Sequence, residues 1–147
     1  MDTPQPVVDS IVRKLGGRQG LGEDVFSEAD LARVVVGRIP LRALDYIKRG
    51  GFSNAEVADY IIPPRTERHR KANRERLSVE ESDRLVRLAR IQTLAEDVFG
   101  DVDKANVWLR EDLGILDRKA PLEVAQTEAG ARVVEQILAK IDWGAAA

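Results

Sequence analysis

Apolar residues recur along most of this chain at intervals of three and four, the spacing of one face of an α-helix. The clearest run is LSVEESDRLVRLARIQTLAEDVFGD, residues 77–101, where Leu85, Leu88, Ile91, Leu94, Ala95, Val98 and Phe99 keep the rhythm. It predicts a helix of about 21 residues with one buried stripe. Ser78 stands at its start with Glu81 three residues on, the pairing of a capping box, and Gly100 stands at its end. Arg84, Arg87 and Arg90 recur beside the stripe and read as intrahelical partners of Glu80, Glu81 and Asp83.

The same pattern organises the flanks. PLRALDYIKRGG spaces Leu41, Leu44 and Ile47 three apart, with Pro40 ahead and Gly50–Gly51 behind. SNAEVADYII opens on Ser53 with Glu56 three residues later, a second capping box, and puts Val57, Tyr60 and Ile61 on one face. Pro63–Pro64 must stop that helix, and another can start at the second proline and run through Ala72. Beyond Gly100, DVDKANVWLREDLGI turns Ala105, Trp108 and Leu109 inward, and Trp108 at that spacing reads as core. PLEVAQ is opened by Pro121, and TEAGARVVEQILAKIDWG carries Val133, Val134, Ile137, Leu138 and Ile141. Strand signals are weak: ARVVVGRI at 32–39 has no alternating partner run. The expected class is all-α. Residues 1–26, with Pro4, Pro6, Gly16, Gly17, Gly20 and Gly22, read as a partly mobile segment around a short helix at Val7–Leu15.

Composition narrows the chemistry. The 147 residues suit one domain or two small ones. There is no cysteine and one histidine, so neither disulfides nor thiolate chemistry are available and zinc has no ligand set. No cluster of Asp and Glu suggests magnesium. No apolar run approaches the roughly 18 residues of a membrane span. MDTPQPVVDS starts with acid rather than the basic residues of a signal peptide, so a cytoplasmic location away from membrane is expected. GGRQGLG lacks the lysine and strand context of a phosphate loop and reads as a linker. No nucleophile–base constellation appears, so neither enzyme activity nor a cofactor is expected.

Charge adds the candidate site. The net charge is −2, yet PPRTERHRKANRER, residues 63–76, holds six Arg or Lys against two Glu. Residues 77–147 count nine basic and fourteen acidic side chains. A basic belt beside an acidic C-terminal part suggests two partners of different character. Two short helices joined by a tight turn, the second rich in arginine, outline a helix-turn-helix, whose second helix enters the major groove. Arg65, Arg68 and Lys71 share a face at three-residue spacing, flanked by Thr66, His69 and Arg70. Arginine suits this work because its fork grips guanine edges or phosphates bidentately. A charge run of this kind is equally compatible with a solvated helix face.

RLSVEESDRLVRLARI, AEDVFGDVDKANVWL, PLEV and TEAGARVVEQILAKIDWG together resemble the Xre/MbcA/ParS antitoxin family. The resemblance covers roughly residues 38–144 and includes an Arg-Thr pair opening a basic tract, here Arg65–Thr66 through Arg70. Two positions depart from the family pattern. The residue after Arg-Thr is usually aliphatic and here is Glu67, which bears on the seating of the recognition helix and on DNA affinity. A Leu-Gly-Gly-x-x-Pro loop reads ILDRKAP, with Leu116, Asp117 and Arg118, and is bulkier.

The resemblance implies an antitoxin that binds the operator of its own operon as a homodimer. It also implies a partner toxin with a RES domain, a class that consumes NAD or uses it to modify targets. The expected division is a helix-turn-helix DNA-binding domain over 27–76 and a toxin-binding domain over 77–147. The family's C-terminal end lies at the toxin's active-site cleft, which points to Asp142, Trp143, Gly144, Ala145, Ala146 and Ala147. The acidic C-terminal part suits docking on a basic, NAD-binding surface. A tryptophan on a slim tail can anchor in a pocket, or fold back on its own helix, and the sequence leaves both open. A stand-alone transcription regulator without a toxin fits the helix-turn-helix equally well.

Overall fold

A computed structural model describes residues 3–146, with only the backbone of Ala145 and Ala146. Every named element is helical, and among the described residues the only β-pairing is an isolated bridge between Leu113 and Lys119. The chain forms two compact units, residues 1–89 and 90–147.

The first unit begins with α1 (Gln5–Lys14), the short helix expected around Val7–Leu15, and α2 (Gly17–Leu21), in the glycine-rich part read as a linker. Val7, Val8, Ile11, Leu15, Leu21 and Val25 are buried. The glycines here serve close approach. Gly16 has φ +93°, and a Cβ on it would lie 2.4 Å from the Tyr46 ring; a Cβ on Gly20 would lie 1.7 Å from the Leu15 carbonyl oxygen. No larger residue fits either place without moving backbone or ring. Helix α3 (Glu28–Val36) is capped by Ser27, whose Oγ accepts from the Asp30 amide at 3.1 Å, and takes up the valines of ARVVVGRI. Helices α4 (Ala43–Arg49), α5 (Asn54–Tyr60) and α6 (Pro64–Ala72) follow as the prolines, glycines and capping box predict. Both halves of the Ser53–Glu56 box are present.

Helix α7 (Val79–Phe99) runs from residues of the first unit into residues of the second. Ser78 and Glu81 form its predicted box: the Glu81 amide donates to Ser78 Oγ at 3.1 Å and the Ser78 amide to Glu81 Oε1 at 2.7 Å. The break between the two compact units, at residues 89 and 90, falls inside this helix. Its first turns bond to the first unit: Ser82 Oγ, fully buried, accepts from the Ile39 amide at 2.9 Å.

In the second unit Gly100, at φ +63°, ends α7, and Asp101 caps α8 (Val102–Arg110). The Phe99 and Trp108 rings meet at 5.4 Å, so Trp108 packs as expected of a core aromatic, although it is not fully buried. A 3₁₀ turn at Gly114–Leu116 leads to α9 (Pro121–Val124) and α10 (Glu128–Ala146). Ala131, Val134 and Leu138 are the buried stripe of α10. Gly130 permits its start to cross α9, since a Cβ there would lie 1.8 Å from the Val124 carbonyl oxygen. In the ILDRKAP loop, Asp117 and Arg118 stand where the family pattern has Gly-Gly, and both adopt left-handed backbone, φ +54° and +63°.

Candidate functional site

Helix α6 starts where the two prolines put it. Pro63 is extended, at φ −61° and ψ 147°, and Pro64 occupies the first turn, where its missing N–H costs nothing. The carbonyl of Ile61, left over at the end of α5, accepts from Arg84 Nε at 3.1 Å and Nη2 at 2.8 Å. Arg84 is thus bonded to the turn between the two helices. Of the three α7 arginines, Arg87 does pair intrahelically, with Asp83, while Glu81 is bonded to Arg70.

The far end of α6 closes with a Schellman pattern. Arg74 is left-handed at φ +54°, its amide donates to the Lys71 carbonyl at 3.2 Å, and the Glu75 amide donates to the Arg70 carbonyl at 2.8 Å. The chain then runs against residues 38 and 39. Leu77 donates to the Ile39 carbonyl at 2.9 Å, and Arg38 donates to the carbonyls of Arg76 and Leu77, each at 2.8 Å.

Helix α6 buries no side chain completely. Its residues divide by face: at about 100° per residue, Arg65, Arg68, His69 and Lys71 fall on one continuous arc and are exposed. Thr66, Glu67 and Arg70 fall on the opposite arc and are half-buried. The six residues singled out for DNA are therefore not one surface. Four form a cationic outer face. Thr66 and Arg70 point inward.

Arg70 is held there by two carboxylates. Its Nε and Nη2 donate to Glu81 Oε1 and Oε2 at 3.0 and 3.3 Å, and its Nη1 to Glu75 Oε2 at 2.9 Å. Burial pushes the Glu81 carboxyl up, but Arg70 and the Ser78 amide outweigh it and hold the group below its ordinary value of 4.5. The hydrogen bond to Glu81 likewise raises Arg70. Glu67, the departure from the family pattern, lies 3.9 Å from Lys48 Nζ on α4, so an ion pair stands at the position where the family pattern has an aliphatic residue.

At the C-terminal end, helix α10 continues through Asp142, Trp143 and Gly144, replacing the slim flexible tail inferred from composition. All three are exposed, Trp143 at 80%. It does not fold back on its helix. Ala145 and Ala146 extend the helix backbone, and Ala147 lies outside the described residues. No helix among the described residues is long and apolar enough to cross a membrane.

Two family models match this arrangement. Residues 30–90 match the Antitoxin Xre-like helix-turn-helix domain, and residues 94–144 the Antitoxin Xre/MbcA/ParS C-terminal toxin-binding domain. An "Antitoxin Xre" from Photorhabdus laumondii subsp. laumondii is 31% identical over 109 residues, which cover 72% of this chain and 74% of that protein. The chain belongs to the Xre/MbcA/ParS antitoxin family. The "Antitoxin Xre" of Pseudomonas putida is 40% identical over 97 residues, 66% of this chain and 60% of that one. The "Antitoxin Xre" of Yersinia enterocolitica is 32% identical over 84 residues, 56% and 57% of the two chains. The chain thus spans about three fifths of the length of these last two relatives. In this family frame α4, α5 and α6 lie within the matched helix-turn-helix domain, and Trp143 stands one residue before the end of the matched toxin-binding domain.

Sequence reasoning missed Glu75, Glu81, Arg84 and Lys48 as supports of this site. Glu81 and Arg84 were visible as a cap and as a periodic arginine. Their partners lie 11 and 23 residues away, beyond what helical periodicity reports.

Proposed function

We propose that the chain is an antitoxin with two binding surfaces. Its α6 outer face binds the operator of its own operon and represses it. Its C-terminal unit binds a RES-domain toxin that acts on NAD, with Trp143 entering the active-site cleft. The observation that carries this reading is the pairing, in one chain, of a helix-turn-helix with a cationic outer face and a toxin-binding domain that ends on an exposed tryptophan. Arg65, Arg68 and Lys71 are the residues for phosphates and base edges, with His69 between them. The protein binds as a homodimer on two half-sites along one face of the duplex.

The DNA half is tested with the full chain and a duplex from the region upstream of its own gene. Replacing Arg65, Arg68 and Lys71 together by Ala should abolish specific binding. Each lost phosphate contact should flatten the log–log salt dependence by about one unit. A triple variant that binds like wild type removes α6 as the DNA-contacting helix. A footprint over a single half-site by a monomer removes the dimer.

A further inference from the structure

Glu81 is an acidic residue sealed into the DNA-binding unit, 5% exposed, beside a helix whose outer face is cationic. A buried carboxylate is costly unless it is paired and hydrogen-bonded. Glu81 is both: Oε1 accepts from the Ser78 amide and Arg70 Nε, and Oε2 from Arg70 Nη2. The planar fork of Arg70, gripped on its other side by Glu75, has a fixed orientation as well as a fixed position.

That orientation matters because of what α6 lacks. A surface helix is usually kept in rotation by an apolar stripe against the core. Helix α6 buries no side chain, and its inward residues, Thr66, Glu67 and Arg70, are all polar. Its rotation therefore depends on polar contacts, of which the Arg70 ion pairs are the closest and the Glu67–Lys48 pair, at 3.9 Å, is looser. A helix turned by a fraction of a residue would present a different edge to the bases.

We infer that Glu81, acting through Arg70, is a positioning residue for DNA recognition, setting the rotation of α6 so that Arg65, Arg68 and Lys71 face the duplex. The inference rests on the reading of α6 as the DNA-contacting helix. Arg70 then belongs to the scaffold, although it sits in the middle of the basic tract. The rival role has the opposite sign. Were Arg70 a phosphate ligand restrained by Glu81, neutralising Glu81 would release a cation and tighten DNA binding.

The experiment uses the full chain as Glu81→Gln, Arg70→Ala, Arg70→Lys and the Arg70→Ala/Glu81→Gln double variant. Each is titrated across salt concentrations with the upstream duplex and with a scrambled duplex of the same composition. Denaturant curves set conditions in which every variant is folded. Glu81→Gln and Arg70→Ala should each weaken the upstream duplex by roughly ten- to hundredfold, the range of a lost charge-assisted hydrogen bond. Binding to the scrambled duplex and the salt slope should stay as in wild type. Arg70→Lys should fall between, and the double variant should be no weaker than either single one. Tighter binding by Glu81→Gln, or a slope lowered by about one unit in Arg70→Ala, overturns the inference. So does an equal loss on both duplexes. If Glu81→Gln does not fold, Arg70→Lys, which keeps the charge and loses the fork, decides by the same ratio. The two failures are separable. An Arg65/Arg68/Lys71 triple variant with intact binding removes the DNA reading of α6 itself. Loss of binding in that triple, with wild-type discrimination in Glu81→Gln, removes only the positioning role.

Discussion

Arg84 donates two hydrogen bonds to the carbonyl oxygen of Ile61, from Nε at 3.1 Å and Nη2 at 2.8 Å. Ile61 is buried, so its carbonyl has no ready substitute partner when the arginine is removed. Arg84→Ala should destabilise the chain by about 1–3 kcal/mol, the cost of a buried acceptor left unsatisfied. Arg84→Lys should lose less. Denaturant unfolding of the two variants against wild type checks the order, and an Arg84→Ala curve that overlays wild type refutes the role.

Acid should act through Glu81. Its carboxyl is held below the ordinary 4.5 in the folded chain, so it contributes stability above that value and loses the contribution as pH falls through its folded value. Glu81→Gln should therefore be less stable than wild type at neutral pH. The difference between the two should shrink on acidification below the carboxylate range. Chemical denaturation at a series of pH values measures it, and a gap that does not change with pH contradicts the ion pair.

The ILDRKAP loop holds two non-glycine residues in left-handed backbone, Asp117 at φ +54° and Arg118 at φ +63°. Such a residue costs roughly 1–2 kcal/mol unless its side chain hydrogen-bonds locally, as Asp can. Arg118→Gly should raise the melting temperature, and Asp117→Gly should raise it less. A fall in both would mean that the side chains themselves hold the loop.

Much of the fold was legible because its signals are local. The Ser53–Glu56 and Ser78–Glu81 boxes, the Pro63–Pro64 break and the Gly100 stop each act within one helical turn, and each stands as read. The first N-terminal helix was legible at Val7–Leu15, but α2 was not, because glycines placed for close approach have the same composition as glycines in a linker. Gly16 under Tyr46 and Gly20 against Leu15 become distinguishable only once their neighbours are in place. The candidate site was half legible. Three-residue spacing found the face of Arg65, Arg68 and Lys71. It could not show that Arg70 turns inward, since the reason is a carboxylate 11 residues further on. Nor does periodicity show that Glu81, Ser82 and Arg84 tie the start of α7 to residues far back in the sequence.

Trp143 is exposed at 80% on a helix, so removing it should not disturb the fold. Deleting residues 143–147 should leave the melting temperature near wild type and leave the complex with the toxin able to form. If Trp143 fills the cleft as proposed, toxin NAD consumption should return. Full inhibition by the truncated chain would shift the inhibitory role to the acidic helical surface.

The central claim is that this chain neutralises a toxin, and growth measures it most directly. On the proposed reading, the partner is a RES-domain protein encoded by the gene next to its own. Cells expressing that gene alone should stop growing and lose NAD, and cells expressing it together with this chain should grow at the uninduced rate. Growth arrest that persists with the chain present at full level, or a neighbouring gene product that is harmless alone, would contradict the account.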